Sequence, residues 1–364
     1  MKRTLISFAV ISAILGATSA QAGGLDRSGQ GTSIILKEGN LLEVAFVSVD
    51  PTVSGTYTAA VGGGDTGNVA PSYSFSNFAI RTDISDNIGI AVIHDQPYGA
   101  LVDWKGGFYN GTKADVESTA LTALVSYGVA DNVTVYGGLK SQSIKATVSV
   151  PLVRDYELTT STSSAMGTVL GAAFEKPEIA LRIALTYHAK VSHDMAVVET
   201  TTVLGTNAST TSFDSPAAFN LDFQTGVAKN TLVFGTIRHV KWAQFSLEPA
   251  NYKTLTTGPL KDYDDDTTSY SIGVGRKFTD QWSAAVTYGT EAALGGFGGP
   301  LGPTDAYSKI GLGATYNAKK LSVTVGVQQV DLGDIQTALS SGTITGTMSG
   351  NTTQVTAVKV GYKF

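Results

Sequence analysis

Four histidines, His94, His188, His193 and His239, are the only imidazoles available for general-base or metal chemistry in this 364-residue sequence. A hydrolase built on them needs Ser–His or Asp–His partners within hydrogen-bond reach. His188 and His193 are five residues apart, an odd spacing that places them on opposite faces of an extended strand, so they do not converge on one metal. Asp95 follows His94 directly, and neighbouring strand residues point to opposite faces. The run Asp262, Asp264, Asp265 and Asp266 reads as a solvated loop, and the glycine runs at 62–64 and 295–299 lack the Lys-Ser/Thr of a phosphate loop. The expectation is a protein that is not an enzyme and that has neither cofactor nor metal site.

The elements that position these residues are recognisable from composition and alternation. The N-terminus has Lys2 and Arg3, an apolar stretch from Leu5 to Ala17, and Ala20-Gln21-Ala22, the small-x-small pattern of a signal peptide over residues 1–22. That stretch is shorter than the roughly 20 apolar residues a membrane-spanning helix needs. The remaining 342 residues (364 − 22) contain no Cys, so no disulfide or Cys-based metal site holds them. Charged residues make up 15%, the net charge is −5 and no basic patch with interleaved aromatics occurs, which excludes nucleic acid as a partner.

Gly, Thr, Ser, Val and Tyr dominate, and the pattern is period two throughout. Leu321, Val323, Val325 and Val327 share one face against Ser322, Thr324, Gly326 and Gln328. Trp282, Ala284, Val286 and Tyr288 do so against Ser283, Ala285, Thr287 and Gly289, and Tyr270, Ile272 and Val274 against Ser271, Gly273 and Gly275. An apolar face opposite a small, polar one is the pattern of a strand between lipid and lumen. A secreted β-sandwich would need inward bulk on both sheets, which the small faces do not supply.

Short polar turns fall at 83–87, 130–132, 175–178, 228–230, 279–281 and 317–320, alternating with longer segments at 55–72, 98–116, 143–165, 193–216, 247–267, 291–305 and 331–350. Six turns and seven loops give an all-β, transmembrane antiparallel β-barrel of about 14 strands over residues 41–364. Both termini lie on the periplasmic side. A barrel of this width needs partial filling. Residues 23–40 precede the first strand and form the expected short N-terminal hatch or plug.

Parity also selects inward cations that a carboxylate-bearing ligand would need. With Leu181, Ile183, Leu185 and Tyr187 facing lipid, Arg182, His188 and Lys190 face inward. Placing Trp242 in the outer aromatic girdle turns His239 and Lys241 inward. The final strand sets Val358, Val360, Tyr362 and Phe364 on one face and ends on an aromatic residue, the assembly signal common in bacterial outer-membrane barrels.

The sequence resembles the FadL family of outer-membrane transporters for long-chain fatty acids and other hydrophobic compounds. The likeness is carried in order by Gly23-Gly24-Leu25-Asp26-Arg27-Ser28-Gly29, by Val49-Asp50-Pro51-Thr52-Val53-Ser54-Gly55, by Ala184-Leu185-Thr186-Tyr187-His188-Ala189-Lys190-Val191, and by Trp242-Ala243-Gln244-Phe245. The resemblance implies a monomeric, passive channel for hydrophobic molecules, fatty acids or aromatics, with an extracellular apolar groove, an internal pocket and a lateral exit. Its partners would be outer-membrane lipid and lipopolysaccharide, and the barrel-assembly machinery through Phe364. The sequence departs from the family in its short hatch, which lacks an asparagine-proline-alanine turn, and in Ser215-Pro216 where leucine-proline is usual. The competing reading is a general porin for small hydrophilic solutes.

Overall fold

A computed structural model describes residues 24–339 and 341–364; the signal peptide expected at 1–22 lies outside the described residues. The barrel strands are β1 (Leu41–Thr52), β2 (Tyr73–Ser85), β3 (Ile88–Asp95), β4 (Lys113–Ala130), β5 (Val133–Val150), β6 (Ser163–Lys176) and β7 (Leu181–His188). They continue as β8 (Ala218–Ala228), β9 (Thr231–Val240), β10 (Thr267–Lys277), β11 (Trp282–Glu291), β12 (Asp305–Asn317), β13 (Leu321–Gly333) and β14 (Thr352–Lys363). Each pairs antiparallel with the next, and β14 pairs back onto β1 from Leu41↔Lys363 to Thr52↔Thr352. The result is the closed fourteen-strand ring expected from counting turns.

Closure follows from the surroundings. In hydrocarbon an unpaired backbone N–H or C=O costs on the order of several kcal/mol, and a closed antiparallel ladder leaves no edge. The side chains obey the same division. Val125, Leu139, Leu170, Ile272, Val286 and Leu312 are exposed on the outer wall, while Thr122, Thr186, Thr315 and Thr324 are buried inside. Trp282 packs on Tyr316 at a centroid distance of 5.0 Å at the periplasmic end, where aromatic girdles form.

All six short turns lie where the sequence placed them, between consecutive strands. Three of the longer segments contain more strand than a loop. The β4–β5 hairpin keeps its register up to Lys113↔Ser149, and residues 191–215 form a hairpin of their own, Val191–Thr201 paired with Gly205–Ser215. Alternation persists there, with Met195, Val197 and Phe213 buried on one face, so pairing continues above the membrane.

Residues 24–40 run through the ring from its extracellular to its periplasmic end. Gly24, at φ +92°, lies against the Trp242 ring, where an added Cβ would come within 2.5 Å of ring carbons. Ile34, Ile35 and Leu36, on a 3₁₀ turn (Ser33–Leu36), bury themselves among Leu41, Ala91, Leu124, Val169 and Ala184 near the other end. This packing fills the lumen that ring width alone would leave open.

Placing a charge on the lipid face tests the face assignment. Leu139→Arg or Leu170→Arg is expected to cost about 2–4 kcal/mol. The inward change Thr315→Ser is expected to cost less than about 1 kcal/mol. Denaturant unfolding in lipid vesicles, followed by intrinsic fluorescence, measures both.

Candidate functional site: a plugged lumen with an interrupted wall

The lumen is organised by buried charges that grip the N-terminal segment. Arg238, on β9, donates from Nε to Asp26 Oδ2 at 2.5 Å and from Nη2 to Asp26 Oδ1 at 3.1 Å, while its Nη1 donates to Asn220 Oδ1 at 2.8 Å. Ser28 donates to Asp95 on β3 at 2.7 Å, and Asn220 Nδ2 donates to the Gly29 carbonyl at 2.9 Å. Lower down, the Thr32 and Thr186 hydroxyls are 3.1 Å apart, and Arg182 Nη2 donates to the Leu36 carbonyl at 2.8 Å. At the periplasmic end Lys37 and Lys359 flank Glu43 at 2.5 and 3.8 Å. Five strands of the ring, β1, β3, β7, β8 and β9, therefore hold one strap of chain.

Beside this strap lies a cavity of about 220 Å³. Ile34, Ala45, Ala79, Ile93 and Phe234 give it apolar surface, and Arg182, Arg238, Lys309 and Lys359 bring cations to its edge. Lys309 Nζ lies 5.1 Å from the Tyr307 ring centroid. Apolar groups suit such a space, because each methylene gains roughly 0.8 kcal/mol on burial, and the cations at its edge are accompanied by Glu43, Asp95 and Asp222 in the same lining. Among the described residues, no three His, Asp or Glu side chains gather as a metal site.

The extracellular end is capped by aromatic side chains from the loops. Trp242 packs on Tyr98, Phe245 and Tyr263 at 5.6, 6.1 and 4.9 Å between centroids. Trp104 packs on Tyr57 and Tyr109 at 6.2 and 5.0 Å and donates to the Pro300 carbonyl at 2.8 Å. A four-stranded sheet built from Gly55–Tyr57, Phe297–Gly298, Ile335–Ala338 and Ile344–Met348 ties three loops together above them. In the loop after β9, burial raises the Tyr263 phenol and lowers the Lys261 ammonium, whose Nζ sits 4.2 Å from the Tyr263 ring centroid.

The wall itself is interrupted once the β2–β3 ladder passes Phe78↔His94. Above that rung the chain kinks at Gln96-Pro97-Tyr98, where Pro97 has no N–H to offer, and resumes as the short strand Gly99–Asp103. That strand pairs with β4, from Gly99↔Glu117 to Asp103↔Lys113, whereas Tyr73–Asn77 of β2 keep only their β1 partners, Val49 to Ala45. Residues 25–27 take the vacant place. The Arg27 amide donates to the Pro97 carbonyl and the Gly99 amide to the Leu25 carbonyl, both at 2.8 Å, with Asp26 bridged to Tyr98.

The sequence-selected cations divide. Arg182 and His188 do point inward; Arg182 also pairs with Glu175 at 2.5 Å, and His188 is 2% exposed with neither ring nitrogen hydrogen-bonded. Lys190, His239 and Lys241 do not face the lumen as expected. Strand β7 stops at His188, so parity does not reach Lys190, which pairs with Asp214 at 2.6 Å with 54% of its side chain exposed. Trp242 is 1% exposed inside the aromatic cap, outside any girdle. This reverses the parity of β9: Arg238 turns inward, and His239 turns outward to Thr268 Oγ1 at 2.9 Å. Lys241 lies past the strand end, as the N-cap of a 3₁₀ turn. Lys309 and Lys359 escaped selection, although outward Ile310, Leu312, Val358 and Val360 already imply their inward parity.

Fold and site together define a closed, internally plugged fourteen-strand transport barrel of the bacterial outer membrane. The chain belongs to the family described as outer membrane protein transport protein (OMPP1/FadL/TodX), matched over residues 33–364. No curated protein matches it. Among solved structures, it is similar to a Pseudomonas aeruginosa FadL homologue with 14% identity, 97% of this chain and 98% of that one covered, and a TM-score of 0.78. It is also similar to the Pseudomonas putida toluene transporter TodX (12% identity, 96% and 98% covered, TM-score 0.64). The Ralstonia pickettii toluene transporter TbuX gives 11% identity, 99% of both chains and a TM-score of 0.64. At these identities the structural likeness concerns the fold.

Breaking the central ion pair tests whether it holds the strap. Asp26→Ala leaves Arg238 buried without its carboxylate, a strongly unfavourable state. Amide hydrogen exchange of residues 24–30 is expected to accelerate by about tenfold or more, while β5 and β6 amides keep their protection.

Proposed function

We propose that this barrel carries hydrophobic molecules, long-chain fatty acids or aromatics, passively inward across the outer membrane. Cargo adsorbs on the apolar loop surface, where Leu294, Phe297 and Ile344 are exposed, passes the aromatic cap into the cavity, and leaves sideways into the membrane. The observation that carries this reading is the coincidence of a lumen occupied from end to end with a wall interrupted beside Tyr73–Asn77. A strap bonded to the wall along the lumen argues against a wide water-filled route for hydrophilic solutes, whereas a hydrophobic molecule gains nothing from reaching the aqueous periplasm. Residues 24–40 act as the hatch, Arg182 and His188 contribute to holding a polar cargo head, and the barrel works as a monomer recognised for assembly through Phe364.

Two measurements test this. In a deletion strain, uptake of oleate or toluene is expected to fall well below the wild-type rate and to return with the gene; undiminished uptake would contradict the proposal. In planar bilayers the intact barrel is expected to give little steady conductance, and removal of residues 24–36 is expected to give large, stable steps. Large steps from the intact barrel would favour the porin.

A further inference from the structure

The short periplasmic turns divide by sign. Those on the β2–β7 side, at 83–87, 130–132 and 175–178, carry Asp83, Asp86, Asp131, Glu175 and Glu178 against Lys176 alone. Those on the β8–β13 side, at 228–230, 279–281 and 317–320, carry Lys229, Lys319 and Lys320 against Asp280, and the neighbouring strand ends add Arg276, Lys277 and Lys363. Of these cations only Lys277 is ion-paired among the described residues, to Asp280 at 2.7 Å, while Lys229, Arg276, Lys319, Lys320 and Lys363 are exposed. Like charges gathered on one arc of a rim attract negative charge from outside the chain. Arg276 extends this arc onto the wall. It pairs with Ala284 and shares the lipid face with Tyr270, Ile272 and Val274, where a guanidinium is costly unless it reaches a polar group. The protein offers it only the Thr231 hydroxyl, at 3.4 Å. Beside it a groove of about 520 Å³ crosses the outside of the wall from β10 to β13. The paired Ala284 and Ala314 form its low row, the next pair, Val286 and Leu312, stands above them, and Phe278, 64% exposed, borders it.

We propose that this arc of the outer wall is a binding site for an anionic phospholipid of the periplasmic leaflet, its acyl chain lying in the groove and its phosphate held by Arg276 and the rim lysines. Groove and guanidinium form one continuous surface, apolar on the wall and basic toward the rim, which is the order of groups along such a lipid. An acidic periplasmic protein would meet the lysines but not a groove that faces hydrocarbon. A second copy packed here about a twofold axis would set like charge against like. The site stands apart from the transport reading, because it lies outside the barrel between β10 and β13, away from the lumen and from the interrupted wall at β2.

Trp282 supplies a local signal. It is 51% exposed on the lipid face of β11 beside Ala284, whereas Trp104 and Trp242, the other tryptophans, are 0% and 1% exposed in the extracellular cap. In phosphatidylethanolamine vesicles, a small fraction of dibrominated phosphatidylglycerol is expected to quench Trp282 about threefold more than the same fraction of dibrominated phosphatidylethanolamine. Two variants separate charge from shape. Arg276→Gln combined with Lys319→Gln and Lys320→Gln keeps the groove, Ala314→Phe fills it and keeps the charge, and each is expected to abolish the excess quenching. Heat-modifiable gel mobility confirms that each variant barrel is folded. Equal quenching by the two lipids in the wild-type barrel overturns the proposal, as does an excess that survives either variant. A wild-type dimer on native gels that Ala314→Phe dissolves overturns it in favour of a contact between copies.

Discussion

Backbone hydrogen bonding in hydrocarbon is the constraint on which the rest of the molecule depends. Every strand must pair on both sides, and the ring from β1 through β14 and back to β1 satisfies this almost everywhere. The exception lies above Phe78↔His94, where Pro97 ends the ladder and leaves the edge of β2 unmatched. A break in a membrane barrel has to be compensated locally, and here residues 25–27 supply the amide and carbonyl that bond the kinked strand. The same residues that plug the lumen thus complete the wall, which makes plug and wall one device.

The interior charges serve position more than stability. A buried ion pair gains little over apolar packing, but it penalises any arrangement that separates its members. Asp26 with Arg238, Glu43 between Lys37 and Lys359, and Arg182 on the Leu36 carbonyl fix the strap at three heights. Such a strap keeps a defined register along the lumen while burying modest apolar surface beyond Ile34, Ile35 and Leu36. That combination suits a part that must be placed accurately.

The wall was legible in the sequence because lipid imposes a strict period of two and turns punctuate it. The polar turns at 130–132 and 228–230 fall within a residue of the strand ends, and the outward set Trp282, Ala284, Val286 and Tyr288 keeps its face. The site was less legible because parity fails where strands end. Lys190 lies two residues past β7, and the assumption that a tryptophan beside a strand end belongs to the girdle reversed β9, hiding Arg238 behind His239. The wall interruption and the segment that meets it have only a faint signature: a short pre-strand segment and a Gln-Pro pair inside an alternating strand. Their meeting depends on how residues 24–40 thread the ring, which no local pattern encodes.

The central claim is that cargo leaves through the wall and not through the periplasmic mouth of the lumen. Photo-crosslinking with a diazirine-bearing long-chain fatty acid, mapped by mass spectrometry on cells actively taking it up, tests this most directly. The account predicts adducts in the cavity and along the wall interruption, at Tyr73, Asn77 and Leu101, with none at Lys37, Leu41 and Glu43 beside the periplasmic mouth. Adducts concentrated at Lys37, Leu41 and Glu43, with Tyr73, Asn77 and Leu101 unlabelled, would contradict it.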